Sequence, residues 1–148
     1  MNLHGQTKPC LIAPSILSFD LPDVLPRVGE LSEMGAEILH LDVMDGQFVP
    51  PISFGADYVR ALRPRVGGLF EAHLMTLTPE RHFEAFAAAG CQRILFHVEA
   101  TQHAHRLVQM LRDMGVSPGI VLNPATPVEM ALDMIADVDM VLVMTVNP

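Results

Sequence analysis

The chain has 148 residues, half of them hydrophobic and 18% charged, and carries a formal net charge of −8. That length suits one domain rather than two, and its nine scattered Lys and Arg argue against nucleic acid as the main partner, because phosphate binding needs clustered cations. The mean hydropathy of +0.33 is high, yet the longest strongly apolar run, 140–146, is far short of the ~20 residues a membrane span needs.

A short run rich in Ile and Leu predicts a first strand at 10–17. A helix follows over 21–34, with Val24, Leu25, Val28 and Leu31 at helical spacing and Gly35 where a terminating glycine belongs. Strands are expected at 38–43 and 69–75. Thr78 and Pro79, a capping residue and a first-turn proline, open a helix over 79–89 that stops at Gly90. A strand at 93–98 precedes a helix over 102–114 that ends at Gly115, and a strand at 119–122 precedes a helix over 127–135. A strand at 140–146 comes last. Strand–helix alternation without hairpin signals implies parallel strands joined by right-handed crossovers. Two α/β architectures meet that pattern, a (β/α)8 barrel and an open doubly wound sheet. No G-x-G-x-x-G follows the first strand, which weakens the second.

Cys10 and Cys91 have no metal-type spacing and are read as bland thiols in a reducing cytosol. The first ten residues lack the charged and apolar regions of a secretory signal. A cytoplasmic location is therefore expected, with His4 in a frayed N-terminus.

The chemistry concentrates in His40-Leu41-Asp42-Val43-Met44-Asp45-Gly46. Side chains alternate across a strand, so His40, Asp42 and Met44 share one face and Leu39, Leu41 and Val43 the other. In a barrel the aliphatic face meets the helices, leaving an imidazole and a carboxylate pointing inward at the strand's C-terminal end, where barrel active sites lie. Glu71-Ala72-His73-Leu74-Met75 repeats the arrangement, with His73 and Met75 on one face. Two imidazoles and a carboxylate from adjacent strands make a ligand set for a divalent transition metal. A lone histidine is more often a hydrogen-bonded core or surface residue, but a buried Asp needs a compensating cation. Asp45 reads as a structural turn residue. His82, His103 and His105 read as solvated, and spacing assigns no role to His97 or Glu99. Met34, Met110, Met114, Met130 and Met134 read as core filling, whereas Met44, Met75 and Met144 stand between core and site lining.

The segments Ile12-Ala13-Pro14-Ser15-Ile16-Leu17-Ser18, LHLDVMDGQFVP, AHLM, HVEA, VLNPATP and VMTVNP resemble the ribulose-phosphate 3-epimerase family in order and spacing, from about residue 10 to residue 148. They also resemble its allulose-6-phosphate epimerase branch. Pro51 stands where the family usually has Asn. The resemblance implies a (β/α)8 barrel of the ribulose-phosphate-binding type, with about six strands in one partial domain over 1–148. It implies a metal (Zn, Fe, Mn or Co) on His40, Asp42 and His73, with Asp42 also one of two acid/base groups. Ser15 and His73 would touch a small sugar-phosphate substrate, and Met44, Met75 and Met144 would line the site. A cytoplasmic enzyme of the pentose phosphate pathway or Calvin cycle, homo-oligomeric at full length, is the expectation.

Epimerisation beside a ketone removes a proton from one face and returns one to the other through an enediolate. A metal stabilises the developing negative oxygen, and two carboxyls carry the protons. Soft methionine thioethers cover the intermediate without supplying strong proton donors. Family members continue past the position of Pro148 into a glycine-rich loop and two further strands. The second catalytic Asp, which is also the fourth metal ligand, and the phosphate loops would lie there. This chain is therefore expected to be a C-terminally truncated, inactive piece with an open edge at 140–146. The alternatives are a hexulose-phosphate epimerase, or a non-catalytic metal-binding or interaction protein if the truncation is natural.

Overall fold

The computed structural model describes residues 10–148, so the expectations for the secretory signal and His4 lie outside the described residues. Its elements in chain order are α1 (Val24–Glu33), β1 (Ile38–Met44), α2 (Ala56–Leu62), β2 (Leu69–Met75), α3 (Phe83–Ala88), β3 (Arg93–His97), α4 (Ala104–Asp113), β4 (Ser117–Leu122), α5 (Glu129–Leu132) and β5 (Met140–Val143). The five strands form one sheet in the order β1-β2-β3-β4-β5, every neighbouring pair parallel.

That order decides between the two architectures. A doubly wound sheet reverses its winding at a switch point and places its first strand inside. Here each strand is added on the same side of the last, which is the progression of a (β/α)8 barrel. Among the described residues, no helix is long and apolar enough to cross a membrane.

The strand expected at 10–17 does not form as a regular strand. Ser15 makes a single parallel bridge to His40, the Pro14 carbonyl accepts from His40 N–H at 3.0 Å, and Ile16–Ser18 turns into a short 3-10 segment. Pro14 has no N–H to donate to a ladder. The sheet thus has five strands rather than six, with Ser15 held beside β1.

The helices expected at 21–34 and 79–89 begin later, at Val24 and Phe83, for a shared reason. Each leading proline sits in a short 3-10 turn, Leu21–Asp23 and Pro79–Arg81, before the α-helix proper. Thr78 makes no side-chain cap. Gly35, Gly90 and Gly115 all follow helices with positive φ, as stops should. Helix α2 carries too short an apolar pattern to be read from sequence, yet Val59 and Leu62 are buried.

Alternation then sorts the side chains. Leu39, Leu41, Val43, Phe70, Ala72, Leu74, Ile94 and Phe96 bury themselves with helix residues such as Val28, Phe83, Phe86, Leu107 and Leu111 in one hydrophobic cluster. This helix–sheet layer drives folding, at roughly 1.5–3 kcal/mol for each large side chain taken from water. The other sheet face carries a second layer that includes buried Leu95, Val121 and His97. Three methionines expected in the core are instead exposed, Met34 at 83%, Met114 at 40% and Met130 at 49%. Each lies near a helix end, where the apolar stripe no longer faces the sheet. Met134 is buried as expected.

Candidate functional site

Parallel register aligns the inward faces of β1 and β2 rung by rung. His40 stands opposite Glu71, Asp42 opposite His73 and Met44 opposite Met75. The inward face is therefore imidazole beside carboxylate on two successive rungs, with two thioethers above them at the strand ends.

The side chains use this alignment. Asp42 Oδ1 lies 3.2 Å from His40 Nε2 and 2.9 Å from His73 Nδ1. Its Oδ2 accepts from Ser15 Oγ at 2.5 Å. Ser53 Oγ donates to the Asp42 carbonyl at 2.8 Å and accepts from Met44 N–H at 3.0 Å, fixing the strand end. One potential ligand atom from each of His40, Asp42 and His73 lies within 4.8 Å of the others.

The remaining hydrogen bonds determine which nitrogens face inward. His40 Nδ1–H donates to Glu71 Oε1 at 2.7 Å, and Arg93 donates to Glu71 Oε2 at 2.8 Å. Glu71 is 1% exposed, and burial would raise its pKa, but its bonds from His40 and Arg93 lower it instead. His40 consequently presents Nε2 to Asp42. His73 presents Nδ1 to Asp42, while its Nε2 contacts His97 at 2.8 Å.

If each imidazole carried a proton on its outer nitrogen alone, two nitrogen lone pairs would converge on one carboxylate oxygen. Such a set demands a cation. A divalent metal fits it in donor type and number, since two imidazoles and one carboxylate leave positions open for substrate or water. The protonation of the protein alone agrees. Burial would lower the pKa of His40, but its bonds to Asp42 and Glu71 outweigh this and raise it to about 9. Burial would raise Asp42, but His40, His73 and Ser15 hold it well below the usual carboxylate range. A proton on His40 here supplies the positive charge a metal would bring.

The structure brings together Ser15, His40, Asp42 and His73, with Met44 and Met75 capping the same two strands. Met144 follows β5, at the far edge of the sheet, where its N–H donates to the Leu122 carbonyl at 3.0 Å. Asp45 accepts from the N–H groups of Gln47, Phe48 and Leu77, each at 2.8 Å, the structural role expected of it. Sequence reasoning left Glu71, Ser53, His97 and Glu99 without a role. Strict alternation was the available signal for Glu71 and His97, since each falls on the inward face of its strand. Ser53 lies on a loop and Glu99 in the 3-10 turn Val98–Ala100, where strand alternation gives no guidance.

The sequence profile of the Ribulose-phosphate 3 epimerase family matches residues 11–148. The chain is similar to the ribulose-phosphate 3-epimerase of Bacillus subtilis, with 44% identity over 137 residues, covering 93% of this chain and 63% of that protein. It is 46% identical to that of Treponema pallidum over 137 residues, with the same coverage of 93% and 63%, and 43% identical to that of Rhodospirillum rubrum over 142 residues, covering 96% and 63%. The chain thus spans somewhat less than two thirds of these relatives' length. Among solved structures, the tryptophan synthase alpha chain of Legionella pneumophila superposes with a TM-score of 0.58 at 13% identity, covering 90% of this chain and 60% of that one. That likeness concerns fold alone. Motif, strand order and profile agree: the chain belongs to the ribulose-phosphate 3-epimerase family.

Proposed function

We propose that this chain carries the metal-holding half of an epimerase active site that interconverts ribulose 5-phosphate and xylulose 5-phosphate, on one partial barrel domain. The observation behind this reading is the sharing of one Asp42 oxygen between His40 and His73 while Ser15 engages the other. His40, Asp42 and His73 would hold a divalent ion (Zn, Fe, Mn or Co), which when bound supplies electrophilic stabilisation of the negative oxygen beside the reacting carbon.

The chain's own groups do the rest. Asp42 removes the proton from one face of the substrate through Oδ2, the oxygen that Ser15 Oγ contacts and orients, while Oδ1 stays between His40 and His73. Glu71 and Arg93 keep His40 in place. Met44 and Met75 present apolar surface at the strand ends, which excludes water from the proton's path. A second carboxyl, on the opposite face of the substrate, would return the proton.

The test is calorimetric titration with Zn2+, Mn2+, Fe2+ and Co2+, comparing the protein with His40→Ala. Loss of binding in the variant is expected, and equal binding would refute the ligand set. A protein that also carries the rest of the relatives' length should convert ribulose 5-phosphate in a coupled xylulose 5-phosphate assay. Preference for allulose 6-phosphate in a parallel assay would move the substrate to the hexulose branch.

A further inference from the structure

Behind His73 stand two residues that the proposed reaction leaves without a role. His97, on the inward face of β3, is 0% exposed, and its Nε2 lies 2.8 Å from His73 Nε2. The two rings stack with centroids 5.0 Å apart, and Phe48 covers His97 from another side at 4.8 Å. His97 Nδ1 lies 3.3 Å from Glu99 Oε2. The other Glu99 oxygen, Oε1, accepts from Asn123 N–H at 2.8 Å and from the Thr126 hydroxyl.

Proton counting gives this line a direction. Two imidazole nitrogens in contact need one donor and one acceptor. If His73 Nδ1 is to offer a lone pair beside Asp42, its proton must sit on Nε2 and be donated to His97 Nε2. A neutral His97 that accepts there carries its own proton on Nδ1, which faces the Glu99 carboxylate. Glu99 cannot rotate away, because Asn123 and Thr126 hold its other oxygen. Every donor in the line then meets an acceptor.

We infer that His97 and Glu99 are positioning residues that set the tautomer of His73, Glu99 serving as the terminal acceptor that frees His73 Nδ1 for the metal. This rests on the metal reading given above. It also links the HVEA and VLNPATP segments, since the loop after β4 orients Glu99, and Glu99 orients the ligand through His97. Carboxylate or carbonyl partners behind a ligating histidine commonly change metal affinity by about 10–100-fold; here the partner acts through a second imidazole.

The decisive variant is Glu99→Gln, which keeps size and shape. Asn123 N–H can only donate, so it claims the amide oxygen, to which the Thr126 hydroxyl can also donate, and the amide NH2 turns toward His97 Nδ1. That arrangement favours a bare Nδ1 and a proton on His97 Nε2, which opposes the proton on His73 Nε2. Zn2+ affinity measured by calorimetry should fall about 10-fold or more. In the Zn2+-loaded parent, 15N spectra of labelled histidines should show His97 as the Nδ1–H tautomer, and this signature should be lost in the variant.

A Glu99→Gln protein that melts like the parent yet keeps both its Zn2+ affinity within about threefold and the parent His97 tautomer overturns the inference. If that variant does not fold, His97→Phe carries the same affinity test, because it keeps a planar ring and removes the acceptor. Parent-like affinity in His97→Phe overturns the relay as well. A parent that takes up no Zn2+ brings down the metal reading first, whereas a parent that binds and variants that bind equally bring down the relay alone.

Discussion

Glu71 and His40 are joined across β1 and β2 by a 2.7 Å hydrogen bond from His40 Nδ1 to Glu71 Oε1. The opposite rungs of a parallel ladder have put a 1% exposed carboxylate directly behind an imidazole that faces Asp42. Glu71→Ala would remove the acceptor that orients His40 and leave Arg93 without its 2.8 Å ion-pair partner. Because the Arg93 side chain is 21% exposed, the loss should be less than the roughly 3–5 kcal/mol typical of a fully buried pair, readable by denaturant unfolding. Zn2+ affinity should drop by about 10-fold or more. An unchanged affinity in a folded variant would detach Glu71 from the site.

Asp42→Asn tests the proton-transfer role. The amide is similar in size but accepts no proton at its nitrogen and is a poorer ligand, so turnover in a protein with the relatives' full length should fall to well under about a tenth of the parent's. Met75→Leu, which keeps volume and apolarity at a 2% exposed position, should cost less than about 1.5 kcal/mol and little activity. Substantial turnover by the Asp42→Asn protein would remove Asp42 from the acid/base role.

Residues 1–148 expressed alone should not epimerise ribulose 5-phosphate at an enzymatic rate. In the proposed mechanism inversion uses a carboxyl on each face, and residues 1–148 would supply the Asp42 side. Adding a peptide that covers the rest of the relatives' length should raise turnover by completing both sheet and site. Robust turnover by residues 1–148 without that peptide would refute the two-carboxylate requirement.

Alkaline stability should report on Cys91. Burial pushes its thiol up to about 12, from an ordinary value of 9.0. In the unfolded chain the thiol ionises from about pH 9 upward, while the folded protein keeps its proton, so the native state binds more protons there and loses stability as pH rises from 9 toward 12. The slope is at most about 1.4 kcal/mol per pH unit. Unfolding curves of the parent should show it, and Cys91→Ala should lack this component. Equal slopes in both proteins would place the alkaline sensitivity elsewhere.

Gly119 tests the inward layer. A Cβ built there would lie 2.1 Å from Leu95 Cδ2 and 3.3 Å from the Met140 carbonyl. The side-chain end can yield, but the backbone of β5 is fixed by pairing with β4. Gly119→Ala should therefore destabilise by about 1–3 kcal/mol through overpacking, measured by thermal or denaturant unfolding. A neutral outcome would mean that Leu95 has free space on this face.

The helix–sheet alternation, the strand positions from β1 onward and the inward set His40, Asp42 and His73 were legible in the sequence, although the last strand ends at Val143 rather than at the expected 146. They follow from local rules: period-2 alternation sends His40 and Asp42 to one face, and apolar runs bounded by glycine make buried parallel strands. Such rules cannot reveal what depends on partners distant in sequence. Pro14 looks like a strand residue until the ladder beside His40 asks it for an N–H it does not have. The order β1 to β5, which separates barrel from doubly wound sheet, is a matter of which strands pair. His97 gains its place only because β3 lies beside β2, bringing residues 24 positions apart into a 2.8 Å contact, and Glu99 gains its place from a loop that comes back from β4. Which side chains face inward on a strand is a local property and can be read along the chain. Which of them touch depends on register and loop return, and those are set by long-range pairing.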